Sequence, residues 1–318
     1  MKDKRDRQMK KLNFVISLTT NDNDYQIEQA VAAENAARRL GVNVEIIYAD
    51  NDAIVQSQQL LKIIQSKSTA HPDGIIFEPV GGTGFPQVAG AAAAAGMGWV
   101  ILNRDVEYVV ELRKAYRVPV FAVTSDHLEV GRIQGRQLAE ILPEGGSILC
   151  IQGPSESLAA KERLMGMNQT KPAGSQVKVI KGNWTEASAY KAVNSWLRLS
   201  TSQNSVCDAI ACQDDSMAIG VRKAFQELTD RALRERWLSL PYLGCDGMPN
   251  TGQAWVKNGL LTATVVIPAN TGQALDMLVH ALQQGTTPSA RTMTAPVSFP
   301  ELGSLAKTRS RKAHAGSV

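Results

Sequence analysis

The feature that most restricts the fold is a repeating alternation along the chain. A short apolar run is followed by a polar or glycine-rich break, then by a stretch whose apolar residues fall three and four apart. The first runs are LNFVISL (12–18), VEIIYA (44–49), GIIFEPV (74–80), WVIL (99–102) and VPVFAV (118–123). The pattern restarts with SILCI (147–151), VKVIKG (177–182), VCDAIAC (206–212), LPYLGC (240–245) and LLTATVVI (260–267). Helices are expected near 25–40, 53–67, 85–95, 106–114, 127–142, 156–171, 186–200, 214–228, 250–258 and 270–284. Strands that alternate with helices imply parallel sheets covered on both faces by right-handed crossovers. Runs such as GIIF and YLGC show no polar alternation, as in strands buried on both faces. Ten strands are many for one open sheet. The expected fold is therefore α/β, with two Rossmann-like lobes of about five strands each and a divide near Ser125–Asp126.

Length and composition agree. The 318 residues suit two domains, and 44% apolar with 20% charged residues is the balance of a globular protein. No apolar run reaches the length of a membrane helix, so membrane insertion is not expected. The formal charge of +4 is concentrated at the ends: 1–11 carries +4 and 301–318 carries +3, which leaves 12–300 at −3. The two basic ends read as disordered tails, 1–11 and 307–318. A folded basic face for nucleic acid is not indicated. The apolar stretch 12–18 contains Asn13 and Ser17, and no small-residue cleavage pattern follows it. As written, the chain is expected in the cytoplasm unless a leader has been removed.

Four cysteines, Cys150, Cys207, Cys212 and Cys245, form no CxxC pair and lie in or beside expected strands. They read as free core thiols, with a disulfide open if the protein is exported. No metal site is indicated. GGTGFP (81–86) follows a strand and precedes a helix, but it lacks the lysine and hydroxyl of a phosphate loop and reads as a tight turn. None of His71, His127, His280 and His314 accompanies an evident nucleophile, and no GxSxG elbow is present. An enzyme is not expected.

Polar groups recur where the strands end. The first strand empties into NDNDY (21–25), the third ends at Glu78, and the fourth at Asn103-Arg104. In the second half come Lys161-Glu162-Arg163, Asn183-Trp184, Gln213-Asp214-Asp215 and Asp246-Gly247. Each has an ordinary structural reading. Asp22, Asp24, Asp214 and Asp215 suit helix caps, Trp184 suits packing, Arg163 a solvated helix face, Arg104 a salt bridge. Their shared position favours a ligand, because open parallel sheets bind at the carboxyl ends of their strands. Carboxylates, amides and guanidinium groups take sugar hydroxyls in pairs, and aromatic rings cover the apolar face of a sugar.

These stretches carry a resemblance. TTNDNDYQ (19–26), ILNRD (101–105), TSDHLEVGRIQG (124–135), IQGPSESLAAKERLMGM (151–167), GNWTEASAY (182–190), CQDDSMAIGVRKAF (212–225), LGCDGMPNTGQAW (243–255) and NGLLTATVV (258–266) occur in a consistent order. Over about 12–300 the chain resembles the type I periplasmic sugar-binding proteins of the ribose- and galactose-binding kind. It is also similar to the effector domain of lactose-repressor-like regulators.

The resemblance implies two lobes joined by a three-segment hinge near 124–126, 266–269 and 290–296, with a monosaccharide or polyol clasped in the cleft. It implies an N-terminal lobe of 12–124 plus 268–291 and a C-terminal lobe of 125–267 plus 292–306. Carried over position by position, the ligand site comprises Asn23, Tyr25, Gln26, Glu78, Asn103, Arg104, Arg163, Trp184, Asp214 and Asp246. Asn103, Glu78 and Gln26 replace residues more usual in the family, and Val265, Val266 and Ile267 stand where an amide or acid is common. No cofactor, metal or catalytic residue is implied. The partner that the resemblance implies is an ABC transporter permease, with periplasmic location. The alternative is a cytoplasmic sugar sensor that signals to a partner protein without its own DNA-binding domain, since too little chain precedes the first strand for one.

Overall fold

The computed structural model describes residues 11–67, 70–80, 84–104, 106–199, 202 and 205–305. The expected tails 1–11 and 307–318 lie outside these residues apart from Lys11, as do Gly81, Gly82 and Thr83 of the glycine-rich turn.

The chain divides into two compact units. Unit 1 comprises 1–21, 29–124 and 269–292; unit 2 comprises 22–28, 125–268 and 293–318. The short segment 22–28 falls to the N-terminal lobe in the sequence reading but clusters with unit 2. Its side chains account for that. Asn23 Nδ2 donates to the Trp184 carbonyl at 2.7 Å, and Ser216 Oγ donates to Asp24 Oδ2 at 3.1 Å. Tyr25 packs with Val130, Ile133, Cys245, Met248, Val265 and Ile267.

Unit 1 is built on β1 (Asn13–Leu18), β2 (Asn43–Tyr48), β3 (Gly74–Phe77), β4 (Gly98–Leu102), β5 (Val120–Ser125) and β11 (Arg291–Thr294), in the order β11-β5-β4-β3-β1-β2. β1 runs parallel to β2 and β3, β3 to β4, and β4 to β5. The helices are α1 (Asp24–Leu40), α2 (Ala53–Ile64), α3 (Pro86–Ala94), α4 (Tyr108–Ala115) and α11 (Thr271–Gln284). Side chains alternate across a strand, so β1 feeds two cores. Phe14, Ile16 and Leu18 join Ala33, Ala37, Leu275 and Leu278 on the α1 and α11 side. Val15 joins Ile75, Phe77, Trp99, Leu60 and Val88 on the α2 and α3 side.

Unit 2 repeats the plan with β6 (Ser147–Gln152), β7 (Gln176–Lys181), β8 (Ala209–Cys212), β9 (Tyr242–Asp246), β10 (Ala263–Val266) and β12 (Val297–Phe299), in the order β12-β10-β9-β8-β6-β7. Its helices are α5 (His127–Ile141), α6 (Leu158–Thr170), α7 (Glu186–Leu197), α8 (Asp215–Gln226), α9 (Arg231–Ser239) and α10 (Gly252–Lys257). β6 runs parallel to β7 and β8, β8 to β9, and β9 to β10, whereas β12 pairs antiparallel to β10. Each sheet therefore has six strands rather than about five. The additions are the short strands β11 (RTMT) and β12 (VSF), which lack an apolar run to announce them.

Helix α9 is a second addition. Trp237 is the one fully buried residue of RALRERWLS, and Leu233 and Leu238 pack partly buried against the same core. The indole stacks on Phe225 at 4.5 Å and meets Trp196 edge-on at 5.5 Å. All four cysteines are buried and free. Among the described residues no helix is long and apolar enough to cross a membrane.

Candidate functional site

In both sheets the strand order reverses beside the first strand, between β1 and β3 and between β6 and β8. Loops at the carboxyl ends of such strands diverge to opposite faces and leave a crevice for a ligand. The polar residues singled out from the sequence stand at these ends.

In unit 1 the strand-end group is Glu78, Asn103 and Arg104. Glu78 follows β3, and its carbonyl accepts from Gln56 Nε2 at 2.8 Å. The fully buried Gln56 also reaches Ser17 Oγ at 3.0 Å and accepts from the Val80 amide at 2.8 Å, so one amide side chain fixes the turn that carries Glu78. Asn103 follows β4 with φ of 55°, in the left-handed region that only a few residue types tolerate. Its Oδ1 accepts from Asn270 Nδ2 at 2.9 Å. Asn270 in turn accepts from Gln29 Nε2 at 2.8 Å, and Gln29 Oε1 takes the Thr271 amide at 2.9 Å. Arg104 donates to the Asn103 carbonyl at 3.2 Å.

In unit 2 the group is built around Arg163. Its helix α6 lies backbone to backbone against α5. A Cβ on Gly131 would sit 2.0 Å from the Arg163 carbonyl, and one on Gly166 would sit 2.0 Å from the Leu128 carbonyl. That close approach sets the height at which α6 delivers the guanidinium. The ordinary alternative for Arg163, a solvated helix charge, does not hold, because the side chain is buried. Its NH1 donates to the Gln213 carbonyl and stands 3.7 Å from Asp246 Oδ1. Its guanidinium carbon lies 5.3 Å from the Trp184 ring centre, within cation–π range. The indole in turn lies directly on Gly153, where any side chain would collide with it. Gln213, buried, locks this corner by accepting from the Gly153 amide at 3.0 Å and donating to the Ala160 carbonyl at 2.9 Å.

The two adjacent aspartates on β8–α8 have different tasks. Asp214 caps α8, its Oδ1 accepting from the Met217 amide at 2.5 Å. Its Oδ2 is buried with no hydrogen-bond partner among the described residues, as is Arg163 Nε. Asp215 is enclosed by Gly244 and Gly252 and accepts from Thr264 Oγ1 and from the Gly247 amide, both at 2.7 Å. It thereby holds the turn on which Asp246 sits at φ of 100°. Trp184 has φ of 60°. Three of the ten proposed ligand residues thus occupy positive-φ positions, and such backbone persists where surrounding structure enforces it.

Asn23 corrects a smaller point. It, not Asp22 or Asp24, caps the first helix, its Oδ1 accepting from the Tyr25 and Gln26 amides at 2.9 and 3.2 Å. With Nδ2 on the Trp184 carbonyl, both ends of this amide have protein partners. Tyr25 and Gln26 are both buried.

Burial dominates the electrostatics. It pushes Asp214 up to about 7 and Asp215 up to about 8 from 3.8. Asp246 also rises well above its usual range, because burial and the neighbouring carboxylates outweigh the single guanidinium beside it. Asp24, half-buried, is raised by burial too.

The profile described as periplasmic binding protein domain matches residues 14–287. The chain belongs to this family, in its type I sugar-binding branch, whose members are binding proteins rather than enzymes. It is 26% identical over 280 residues to the D-allose-binding periplasmic protein of Escherichia coli K12, covering 86% of this chain and 85% of that one. It is 24% identical over 258 residues to the ribose import binding protein of Salmonella typhimurium, covering 81% and 79%. The fold matches the periplasmic binding protein component of the arabinose ABC transporter from Shewanella sp. ANA-3 with a TM-score of 0.73 at 22% identity, covering 95% of this chain and 97% of that one.

Proposed function

We propose that this protein is the periplasmic solute receptor of an ABC transporter and binds a monosaccharide or polyol through its strand-end side chains. The side chains proposed for this are Glu78, Asn103, Arg104, Arg163, Trp184, Asp214 and Asp246. The liganded form is what the transporter's permease recognises.

The observation that carries this reading is the corner made by Arg163, Asp246, Asp214 and Trp184. It offers a buried donor, Arg163 Nε, and a buried acceptor, Asp214 Oδ2, both without partners among the described residues, beside an aromatic ring. Buried polar atoms are normally satisfied, and a hydroxylated ring supplies both missing partners while laying its C–H face on the indole. The names of the relatives, which bind D-allose and ribose, point the same way.

A thermal-shift screen of pentoses, hexoses, polyols, sugar acids and amino derivatives tests the reading, because a ligand bound only by the native state raises the melting temperature. At least one compound is expected to do so, and Arg104→Ala and Asp246→Ala each to abolish the shift in folded protein. No shift across the panel overturns the assignment.

A further inference from the structure

The buried corner of unit 2 holds more carboxylate than the cation beside it balances. Arg163, 7% exposed, is within ion-pair distance of Asp246. Asp215 is accounted for separately, enclosed by glycines and bonded to Thr264 and Gly247. That leaves Asp214, which is 1% exposed and has one oxygen, Oδ2, with no hydrogen-bond donor among the described residues. Of the nearby charges, Arg163 favours an ionised Asp214 but is shared with Asp246, whereas Asp24 lies close enough to disfavour a second negative charge, and Glu186 does the same to Asp24.

A neutral hydroxyl would satisfy the hydrogen bond of Oδ2 but would leave the charge uncompensated. A buried carboxylate without a counter-charge is strongly disfavoured. An ammonium group supplies a positive charge and three donors at once, enough for Asp214 Oδ2 and a neighbouring acceptor such as Asp24.

We propose that the natural ligand carries a protonated amino group on its hydroxylated ring, as in an amino sugar or aminocyclitol, and that Asp214 Oδ2 receives that ammonium. This rests on the sugar-receptor reading above and narrows it to a cationic subclass. Arg163 and Asp246 then serve the ring hydroxyls, and Asp214 selects for charge.

The test is calorimetric titration of the full chain at neutral pH with matched pairs: D-glucosamine and D-glucose, D-galactosamine and D-galactose, D-ribosamine and D-ribose. N-acetyl-D-glucosamine, in which the amine is blocked, is the control. At least one amine is expected to bind tenfold or more tightly than its neutral partner, and the blocked amine to behave as a neutral sugar. Asp214→Asn should reduce that preference by at least tenfold. Asp214→Ser, which also keeps a helix-capping oxygen, should do the same and guards against a folding failure of the first variant. Neutral sugars that bind as well as or better than every amine overturn this inference and leave the sugar reading standing. An amine preference that survives in both folded variants also overturns it. Binding by none of the compounds, amine or neutral, overturns the sugar reading and this inference with it.

Discussion

Asn270 Nδ2 donates to Asn103 Oδ1 at 2.9 Å, although the two residues are 167 positions apart in the chain. Both are buried, and Asn270 also accepts from Gln29 Nε2. The contact fixes the orientation of Asn103 at a backbone position of positive φ. Asn270→Ala removes the acceptor of Gln29 Nε2 and the donor that orients Asn103. A buried polar group left unsatisfied costs about 1–3 kcal/mol, so urea unfolding is expected to show a loss of about 1–3 kcal/mol. Sugar affinity should fall about tenfold as well, equivalent to about 1.4 kcal/mol of lost orientation. Unchanged affinity in a destabilised variant would remove Asn103 from the ligand site.

Two helical glycines should respond in opposite ways to alanine. A Cβ added at Gly90 in α3 would have nothing within 4 Å, whereas one at Gly131 in α5 would meet the Arg163 carbonyl at 2.0 Å. Helix propensity favours alanine at both by up to about 1 kcal/mol. At Gly131 the clash with backbone outweighs that gain, since forcing atoms into a packed contact costs about 1–3 kcal/mol or more. Gly90→Ala is expected to raise the melting temperature and Gly131→Ala to lower it. The second variant should also weaken sugar binding, because α6 must move and carries Arg163 with it.

Trp184 gives the site an optical signal. Its indole lies under the Arg163 guanidinium and over Gly153, so a sugar seated on it changes its surroundings. Ligand addition is expected to shift the tryptophan emission, and Trp184→Phe to remove most of that change while keeping a ring for binding. An undiminished signal in this variant would assign the response to one of the other four tryptophans and place the ligand away from this ring.

The alternation of apolar runs and amphipathic stretches is enough to place the strands that make up most of each sheet, and the polar residues at their ends. Arg163, Asp214 and Asp246 are legible because a charge beside a core strand is conspicuous. Their supports are not. Asp215, Gln213, Gln29 and Gln56 act through buried hydrogen bonds to partners far along the chain, and in sequence they resemble any polar residue. Asp214 and Asp215 look interchangeable there; only the glycines around Asp215 show that it holds a turn while its neighbour caps a helix. The strands β11 and β12 escape because short, half-exposed segments with few apolar residues carry no periodicity to read, and the helix α9 escapes because its apolar pair Leu233 and Trp237 spans little more than one turn.

The buried aspartates also make stability depend on pH in an unusual direction. Burial raises Asp214 to about 7 from 3.8, with Arg163 opposing the shift and Asp24 adding to it. A carboxyl group that holds its proton more tightly in the folded state favours that state at low pH. Its contribution is complete below about pH 4 and is lost as the pH rises towards the folded value of about 7. Asp214→Asn removes this titration while keeping an oxygen for the Met217 amide. The unfolding free energy of the wild type minus that of the variant should therefore fall between about pH 4 and pH 7, by on the order of 1 kcal/mol per pH unit, and then level off. Urea titrations of both proteins across this range measure it, and subtraction cancels the other carboxylates. A flat difference would mean that Asp214 is ionised in the empty protein well below neutral pH, and that Arg163 alone balances both it and Asp246.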